Sequence, residues 1–209
     1  MSKHERQMMN EVNKRKQRII DAAIEVLKES SIEETTVRKI ALKAGLTTGS
    51  LYHHYKNKDE IMFDVMKQSL QFTHKMVKTV KDERLGKKGK DLLSDIVSEV
   101  TKRLSKIDEQ KLHILLLSDV IVRDRAIKGK YQDNYMEIIK NTADLFGEAF
   151  EIENSEYKKR VAAILVAAVD GMAIQQALGV LPEELNKMTD TFNAFFTESI
   201  PLFLEKHME

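Results

Sequence analysis

Hydrophobic residues recur three or four residues apart along most of this 209-residue chain, which is the spacing of one face of an α-helix. No stretch shows the strict alternation of apolar and polar residues that is typical of a half-buried strand. The chain holds only eight Gly and two Pro, so few helix breakers interrupt the pattern. The sequence predicts an all-α protein, with helices at about 13–30, 37–44, 48–54, 58–81, 91–106, 109–127, 131–151, 155–179 and 184–206.

The second and third predicted helices are short, and a turn of three residues joins them. Thr36 is a good N-cap for the first of the two, since its hydroxyl can accept a hydrogen bond from an unpaired backbone N–H group. Gly45 is suited to end that helix because glycine adopts the left-handed conformation without strain, and Thr47 or Thr48 is suited to cap the next. Two short helices joined in this way predict a helix-turn-helix, whose second helix can enter the major groove of DNA.

The residue types on the third helix also suit contact with DNA. Residues 48–50 are small or hydroxylated and allow close approach, while Tyr52 and His53 carry groups that can donate hydrogen bonds. Leu51 and Tyr55 lie about one turn apart and are expected to anchor the helix to the core. A buried core tyrosine is the alternative for Tyr52.

The net charge is +1, but the basic residues are unevenly distributed. The segment from Arg38 to Lys58 has five basic residues and no acidic one, and a second basic cluster spans residues 14–18. Residues 1–60 carry 12 Lys and Arg against nine Asp and Glu. A basic segment without acids is expected of a surface that faces phosphates, and an ordinary solvated face is the alternative.

Enzymes and metal proteins have signatures that this sequence lacks. The chain has no Cys, which excludes disulfides and thiolate metal sites, and it has no Gly-rich phosphate loop, nucleophile elbow or metal-spaced set of His and Glu. His53 and His54 are adjacent and point about 100° apart on a helix, so they cannot hold one metal together; we expect one to face DNA and the other to pack. We therefore expect no enzyme activity, no cofactor and no metal, with a helical enzyme and an interaction adaptor as alternatives.

The hydropathy of the chain gives no sign of a targeting or membrane segment. The first eighteen residues are polar and basic, which does not fit a secretory signal peptide. The longest apolar run, Val161–Val169, has nine residues, too few to span a bilayer. We expect a cytoplasmic protein without membrane contact.

The region around the predicted helix-turn-helix carries a longer pattern. Residues 19–23 read I-I-D-A-A, 35–41 read T-T-V-R-K-I-A, 44–47 read A-G-L-T, 49–55 read G-S-L-Y-H-H-Y and 58–61 read K-D-E-I. With these pieces in this order and at this spacing, the stretch Ile19–Met62 resembles the N-terminal signature of the TetR (tetracycline-repressor) family along its whole length. Beyond residue 80 the resemblance is weak.

The resemblance implies an architecture and a function. The fold would be an N-terminal three-helix helix-turn-helix DNA-binding domain, residues 1–60 with a basic N-terminal arm, and a C-terminal helical ligand-binding and dimerisation domain, residues 61–209. The protein would be a transcriptional repressor that binds a palindromic operator in double-stranded DNA as a homodimer and is released by a small-molecule effector. An activator and a DNA-binding regulator without a ligand are the alternatives.

The resemblance also implies roles for single residues. Thr36 and Lys58 match positions at which the family binds phosphates, and the turn and the recognition helix hold the remaining candidates. The candidate DNA-binding residues are Thr36, Thr47, Thr48, Gly49, Ser50, Tyr52, His53 and Lys58. Thr48 stands where Lys, Arg or Pro is common in the family and His53 where Arg is common, so no operator sequence carries over.

The last two predicted helices carry the candidate dimer interface. Val161–Val169 is apolar on every side, so its helix is expected to be buried on every face. With the last helix, it resembles the pair that forms a four-helix bundle across the two-fold axis in the family; a purely intramolecular core is the alternative. The candidate interface residues are Ile164, Ala167, Ala168, Phe192, Phe195 and Phe196. Pro201 is expected to kink the last helix or to end it near Ile200.

The family binds its ligands among the C-terminal helices. The candidate pocket residues here are Phe72, Met76, His113, Leu116, Leu117, Val120, Tyr135, Met136 and Met172. Methionine side chains re-pack readily and suit apolar or varied ligands. Each of these residues could instead be ordinary core, and for His113 a hydrogen-bonded core histidine is the alternative to a ligand contact.

Overall fold

Every regular element in the described part of the chain is an α-helix. The computed structural model describes residues 3–68, 90–123, 127–150 and 156–207. In chain order the helices there are α1 Lys3–Glu29, α2 Val37–Lys43, α3 Thr48–Tyr52, α4 over residues 58–68, α5 Lys90–Leu104, α6 Ile107–Arg123, α7 Lys128–Phe150, α8 Glu156–Leu178 and α9 Leu185–Lys206. The all-α class expected from the hydrophobic pattern is confirmed. The part of the fourth predicted helix beyond residue 68 lies outside the described residues.

Helix α1 begins at Lys3, well before the start predicted at residue 13. Ile19 is the first buried side chain described on it, and the side chains described before Ile19 are exposed except for the partly buried Lys16, so they show no buried face that periodicity could locate. They are nevertheless mostly Lys, Arg, Glu, Gln and Met, which have high helix propensity, and none is Gly or Pro. Propensity rather than burial therefore extends α1 toward the N-terminus.

Helix α9 continues through Pro201 to Lys206, so the end predicted near Ile200 does not occur. Proline removes one backbone hydrogen bond and crowds the carbonyl one turn earlier, which disfavours it inside a helix. Ile200, Pro201 and Leu204 are all buried, however. Burial of this last turn offsets the cost of the proline.

The contacts within the chain define two compact units. The first comprises Met1–Ser69 and Leu115–Tyr131, and the second comprises Leu70–Ile114 and Gln132–Glu209. Helix α6 therefore contributes residues to both units. These units reflect contacts rather than function, so the predicted functional division after residue 60 stays a prediction.

The core of the first unit fixes the positions of its short helices. Ile19 of α1, Ile40 of α2, Leu51 of α3 and Ile61 of α4 are each fully buried. Each of the four helices thus contributes one complete aliphatic side chain, whose burial stabilises the fold by roughly 1.5–3 kcal/mol. The short helices α2 and α3 depend on this burial because isolated helices of their length are not stable in water.

The core of the second unit is formed by α5, α7, α8 and α9. Leu104, Phe146, Leu165 and Leu204, one from each of these helices, are at most 3% exposed. Phe146 is the largest of the fully buried side chains among the described residues. This cluster fixes the helices that carry the candidate interface and part of the candidate pocket.

Helix α8 is not buried on every face of the single chain, contrary to expectation. Ile164 is 62% exposed and Ile174 is 44% exposed, although Leu165 and Val169 on the same helix are buried. Among the described residues, α8 is also the one helix that is long and apolar enough, by length and composition only, to cross a membrane. The nine-residue apolar run Val161–Val169 is too short to span a bilayer, but the 23-residue helix that contains it is long enough.

Candidate nucleic-acid interface

Helix α2 begins at a threonine cap. Thr36 has an extended backbone, with φ −108° and ψ 154°, and its hydroxyl oxygen accepts a hydrogen bond from the backbone N–H of Lys39 at 3.2 Å. The cap fixes the point at which the chain enters α2, and it confirms the N-cap expected from the sequence. The Thr36 side chain itself remains exposed.

The turn between α2 and α3 depends on a glycine. Gly45 has a φ of +62°, a left-handed conformation that residues with a Cβ rarely adopt. A Cβ added at Gly45 would also lie 2.6 Å from Arg18 Nη2 of α1. The backbone N–H groups of Gly45 and Leu46 close the turn by donating to the carbonyls of Leu42 and Ala41.

Thr47 rather than Thr48 caps α3. The Thr47 hydroxyl oxygen accepts a hydrogen bond from the backbone N–H of Ser50 at 3.1 Å, and the Thr47 backbone is extended. Helix α3 then ends at Tyr52, two residues before the predicted end, with His53 as its C-cap. Thr48 is therefore the first residue of the helix, and its side chain is exposed.

Two buried side chains hold α3 against the core, as predicted. Leu51 is fully buried and Tyr55 is 3% exposed. The Tyr55 hydroxyl donates a hydrogen bond to Asp64 Oδ2 of α4 at 2.9 Å, and Lys16 Nζ lies 5.3 Å from the Tyr55 ring centroid. Burial, and then the hydrogen bond to Asp64, raises the pKa of Tyr55 far above its ordinary value.

The opposite side of α3 is open to solvent. Thr48, Gly49 and His53 are exposed, and Ser50 is partly buried. Tyr52 is 54% exposed, so the alternative of a core tyrosine is wrong. The buried anchors and the exposed candidate contact residues thus lie on different sides of α3 and of the few residues that follow it.

Basic groups from α1 lie beside the end of α3. His54 is partly buried, and its pKa is lowered by burial and then by the positive charges of Arg15, Lys16 and His53. Lys16 belongs to the 14–18 cluster, and the position of its Nζ, 5.3 Å from the Tyr55 ring centroid, places part of that cluster close to this point. His53 is exposed, which agrees with the expectation that only one of the two histidines packs.

Lys58 has a partner that the sequence did not suggest. Its side chain is partly buried, and Nζ donates a hydrogen bond to the carbonyl oxygen of Ile32 at 2.7 Å. This bond connects the first residue of α4 with the loop between α1 and α2. No sequence pattern could reveal it, because the acceptor is a backbone carbonyl 26 positions away.

The second unit contains a buried group of polar side chains from different helices. Arg103 Nη2 of α5 lies 2.9 Å from Asp170 Oδ1 of α8. The Tyr135 hydroxyl of α7 donates to Asp170 Oδ2 at 3.1 Å and lies 2.8 Å from His113 Nε2 of α6. Two predicted pocket residues, His113 and Tyr135, are therefore brought together with Arg103 and Asp170, which were not predicted from the sequence. The available signal was the single carboxylate in the otherwise apolar stretch 161–174.

The remaining candidate pocket residues are dispersed. Leu116, Leu117 and Val120 belong to the first unit, whereas His113, Tyr135, Met136 and Met172 belong to the second. Met172 is buried in the second core, but Met136 is 60% exposed, which does not favour a place in an enclosed pocket. Phe72 and Met76 lie outside the described residues.

The candidate interface residues divide between core and surface. Phe192 is 8% exposed and packs in the core of its own chain, with its ring centroid 4.5 Å from that of Phe196, which does not favour a place in the interface. Ala168 and Phe196 are partly buried against the same core. The exposed candidates are Ile164, Ala167 and Phe195.

Residues 19–65 match the family model described as bacterial regulatory proteins, tetR family. An uncharacterised HTH-type transcriptional regulator of Bacillus subtilis, YerO, is 22% identical over 190 residues, which are 90% of this chain and 64% of that protein. A fatty acid metabolism regulator protein of the same species is 37% identical over 70 residues, which are 33% of this chain and 36% of that protein. The match thus spans less than two thirds of the length of either relative.

The fold is similar to that of a solved protein. The crystal structure of a putative TetR-family transcriptional regulator from Mesorhizobium loti matches with a TM-score of 0.72, over 93% of this chain and 96% of that chain, at 16% identity. At this identity the likeness concerns the fold: an N-terminal helix-turn-helix followed by a helical C-terminal domain.

A short helix held by its buried side and open on the other, preceded by a glycine turn and a second short helix, defines a helix-turn-helix DNA-binding protein. Within that class, residues 19–65 match the model of the tetR family of bacterial regulatory proteins. The resemblance found in the sequence is therefore confirmed. This is a family of regulators rather than of enzymes.

Proposed function

We propose that this protein is a sequence-specific repressor that binds a palindromic operator as a homodimer and leaves it when a small molecule binds the C-terminal domain. The observation that carries the proposal is the two-sided construction of α3. Leu51 and Tyr55 hold one side in the core, and Thr48, Tyr52 and His53 are free to meet DNA on the other. A rigidly supported helix of this kind loses little conformational entropy on binding.

The residues divide between positioning and reading. Thr48 and His53, at the two ends of α3, are proposed to contact base edges, and the small Gly49 allows the helix to approach closely. Tyr52, Thr36 and Lys58 are proposed to contact phosphates, which fix the register of the protein on the duplex. Lys16 Nζ lies beside the Tyr55 ring, just after α3, in support of this orientation. Thr47 and Ser50 stay candidates, although the Thr47 hydroxyl already accepts from the Ser50 backbone.

A second copy of this chain is proposed to cover the exposed apolar face of α8 and α9. On α8, Ile164, Ala167, Gly171, Ile174 and Leu178 follow one another at alternating intervals of three and four residues. Ile164, Ile174 and Leu178 are 62%, 44% and 70% exposed. Small residues between large apolar ones allow another helix to approach closely, and a contiguous apolar patch is typical of an interaction site.

Helix α9 also exposes large apolar side chains. Phe195 and Leu202, seven residues apart and hence on one side of the helix, are 61% and 68% exposed. Pairing two chains would place two α3 helices on one duplex, about 34–36 Å apart or at a multiple of that distance, to meet successive major grooves. A ligand that favours a dimer with a different spacing would lower the affinity for DNA by its own differential affinity for the two states.

An activator, or a regulator without a ligand, is the second candidate, because the α3 surface would be the same. We propose the cytoplasm as the site of action, where the DNA of a bacterium is accessible.

Selection of duplexes from a random pool, followed by gel-shift assays, tests whether the protein recognises a DNA sequence. Failure to enrich any sequence would exclude a sequence-specific regulator. A promoter fused to a reporter then separates repression from activation by the sign of the change when the protein is removed.

A further inference from the structure

Five side chains form a polar cluster in the second unit, called the buried polar cluster below, in which Tyr135 and Asp170 are partly buried and the other three are buried: Arg103, Gln110, His113, Tyr135 and Asp170. Arg103, Gln110 and His113 are 7%, 2% and 3% exposed. Gln110 Nε2 donates to the carbonyl oxygen of Arg103 at 3.1 Å, which joins it to the contacts of Arg103, Asp170, Tyr135 and His113 described above. Polar groups buried at this depth are costly unless they are hydrogen-bonded.

The hydrogens of this cluster can be assigned one by one. The Tyr135 hydroxyl has one hydrogen and donates it to Asp170 Oδ2. Toward His113 Nε2, at 2.8 Å, the Tyr135 oxygen must therefore accept, so Nε2 carries a proton. Burial, and then the charge of Arg103, lowers the pKa of His113 to about 4 against a smaller opposite effect of Asp170. The ring is neutral near pH 7, which leaves Nδ1 without a proton and makes it a hydrogen-bond acceptor.

Two acceptors in the cluster are without a donor. His113 Nδ1 and Gln110 Oε1 are buried and have no hydrogen-bond partner in the described structure. They lie three residues apart on α6, hence on the same side of the helix. Arg103 Nε is the one unpartnered donor in the cluster. Leaving buried polar atoms unpaired is costly, so a hydrogen-bond donor at this place would be favoured.

We propose that the buried polar cluster binds the hydrogen-bond-donating group, a hydroxyl or an amide N–H, of an uncharged ligand. The proposal rests on the proposed function in taking this domain to bind a small molecule. The cluster holds its own positive and negative charges in the Arg103–Asp170 pair and needs no further charge. A cation would be repelled by Arg103, and an anion would face the lone pairs of His113 Nδ1 and Gln110 Oε1.

The first test uses the full-length protein labelled with ¹⁵N and long-range ¹H–¹⁵N spectra of its imidazole rings. His113→Gln identifies the His113 signals, and His207→Gln is the control for an unrelated ring in the same unit. We expect the Nε2–H tautomer, with Nδ1 in the shift range of an unprotonated nitrogen. The Nδ1–H tautomer would overturn the proposal, because Nδ1 would then be a donor.

The second test compares probes that carry a donor hydrogen with analogues in which a methyl group replaces each such hydrogen. Phenol, cyclohexanol and benzamide are each titrated beside a donor-free analogue: anisole, methoxycyclohexane and N,N-dimethylbenzamide. At least one donor-bearing probe should bind about tenfold more tightly than its analogue, the worth of one hydrogen bond, and should move the Nδ1 signal. Equal binding within every pair would overturn the proposal. So would an Nδ1 signal that shows a hydrogen bond from an ordered water and that no probe changes.

Variants assign the effect to the cluster. His113→Phe and Gln110→Leu should each remove the preference for the donor-bearing probe while changing the affinity of its analogue less than about twofold. If His113→Phe does not fold, the result for Gln110→Leu decides the test. A preference that survives in the folded variant would contradict the proposal. Gel shifts without a probe separate the two claims: DNA binding without any probe preference refutes the cluster alone, and probe preference without DNA binding refutes the regulator alone.

Discussion

The Tyr55 hydroxyl donates a 2.9 Å hydrogen bond to Asp64 Oδ2, so the residue that closes the anchored side of α3 is joined directly to α4. Three residues earlier, Tyr52 is directed to solvent. The two tyrosines therefore allow support of α3 to be separated from contact with DNA by a single, identical substitution.

Tyr55→Phe should lower the free energy of unfolding by about 1 kcal/mol, because it removes one hydrogen bond and keeps the buried ring. Tyr52→Phe should change stability by less than about 0.5 kcal/mol, as expected of a surface position, and should lower affinity evenly across DNA sequences. Urea unfolding and gel shifts of both variants make the comparison. The account of α3 fails if Tyr52→Phe destabilises the protein more than Tyr55→Phe does.

Gly45→Ala should destabilise the protein by about 1–2 kcal/mol, because alanine is strained at a φ of +62°. The contact with Arg18 Nη2 contributes less, since the end of that long side chain can move aside. Gly49→Ala is the matched control: its Cβ would meet only Thr47 Oγ1, at 3.9 Å. In a helix that change should be neutral or stabilising by up to about 1 kcal/mol, yet it should weaken DNA binding by adding a methyl group on the open side of α3.

Lys58→Ala should have two effects, because Lys58 Nζ donates to the Ile32 carbonyl as well as carrying a charge. We expect a loss of about 1–2 kcal/mol of stability and a plot of log affinity against log salt that is flatter by about one unit. Lys56→Ala is the control: its side chain is exposed, and the hydrogen bond from its backbone N–H to Glu60 is retained. Unchanged stability in Lys58→Ala would mean that the bond to Ile32 contributes nothing.

Thr48 and His53 should each determine one or two base positions in a half-site. Replacing either with Ala should change the preferred sequence there, with a discrimination of about 1–3 kcal/mol lost per position. Repeating the duplex selection with each variant measures this directly. Identical consensus sequences for the wild type and both variants would reduce these residues to positioning groups.

Local chemistry made much of the DNA-binding region predictable. The caps Thr36 and Thr47 and the turn at Gly45 follow from the conformations that these residue types favour, and Leu51 and Tyr55 follow from helical periodicity. The residues around Lys58 do not predict its hydrogen bond to a backbone carbonyl, because only tertiary packing brings the loop that holds this carbonyl close to Lys58.

The C-terminal region was less predictable for two physical reasons. Arg103 and Asp170 are 67 positions apart, and only the packed helices bring them together. On α9, Phe192 and Phe195 are both apolar. The apolar residues cover a wide part of the helix surface, so the sequence does not show which of the two packs in the chain's own core. The structure resolves that choice, with Phe192 inside and Phe195 exposed.

The central claim is that two chains, joined through α8 and α9, act on one operator, and sedimentation velocity of Ala167→Asp tests it most directly. Ala167 is exposed in the single chain, so the variant should fold, but in a dimer its carboxylate would be buried without a partner, which is strongly unfavourable. We predict a folded monomer that no longer binds the selected palindrome, while the wild type and Ala167→Ser sediment as dimers and bind it. A variant that remains a dimer, or a monomer that binds the palindrome as tightly as the wild type, would contradict the account.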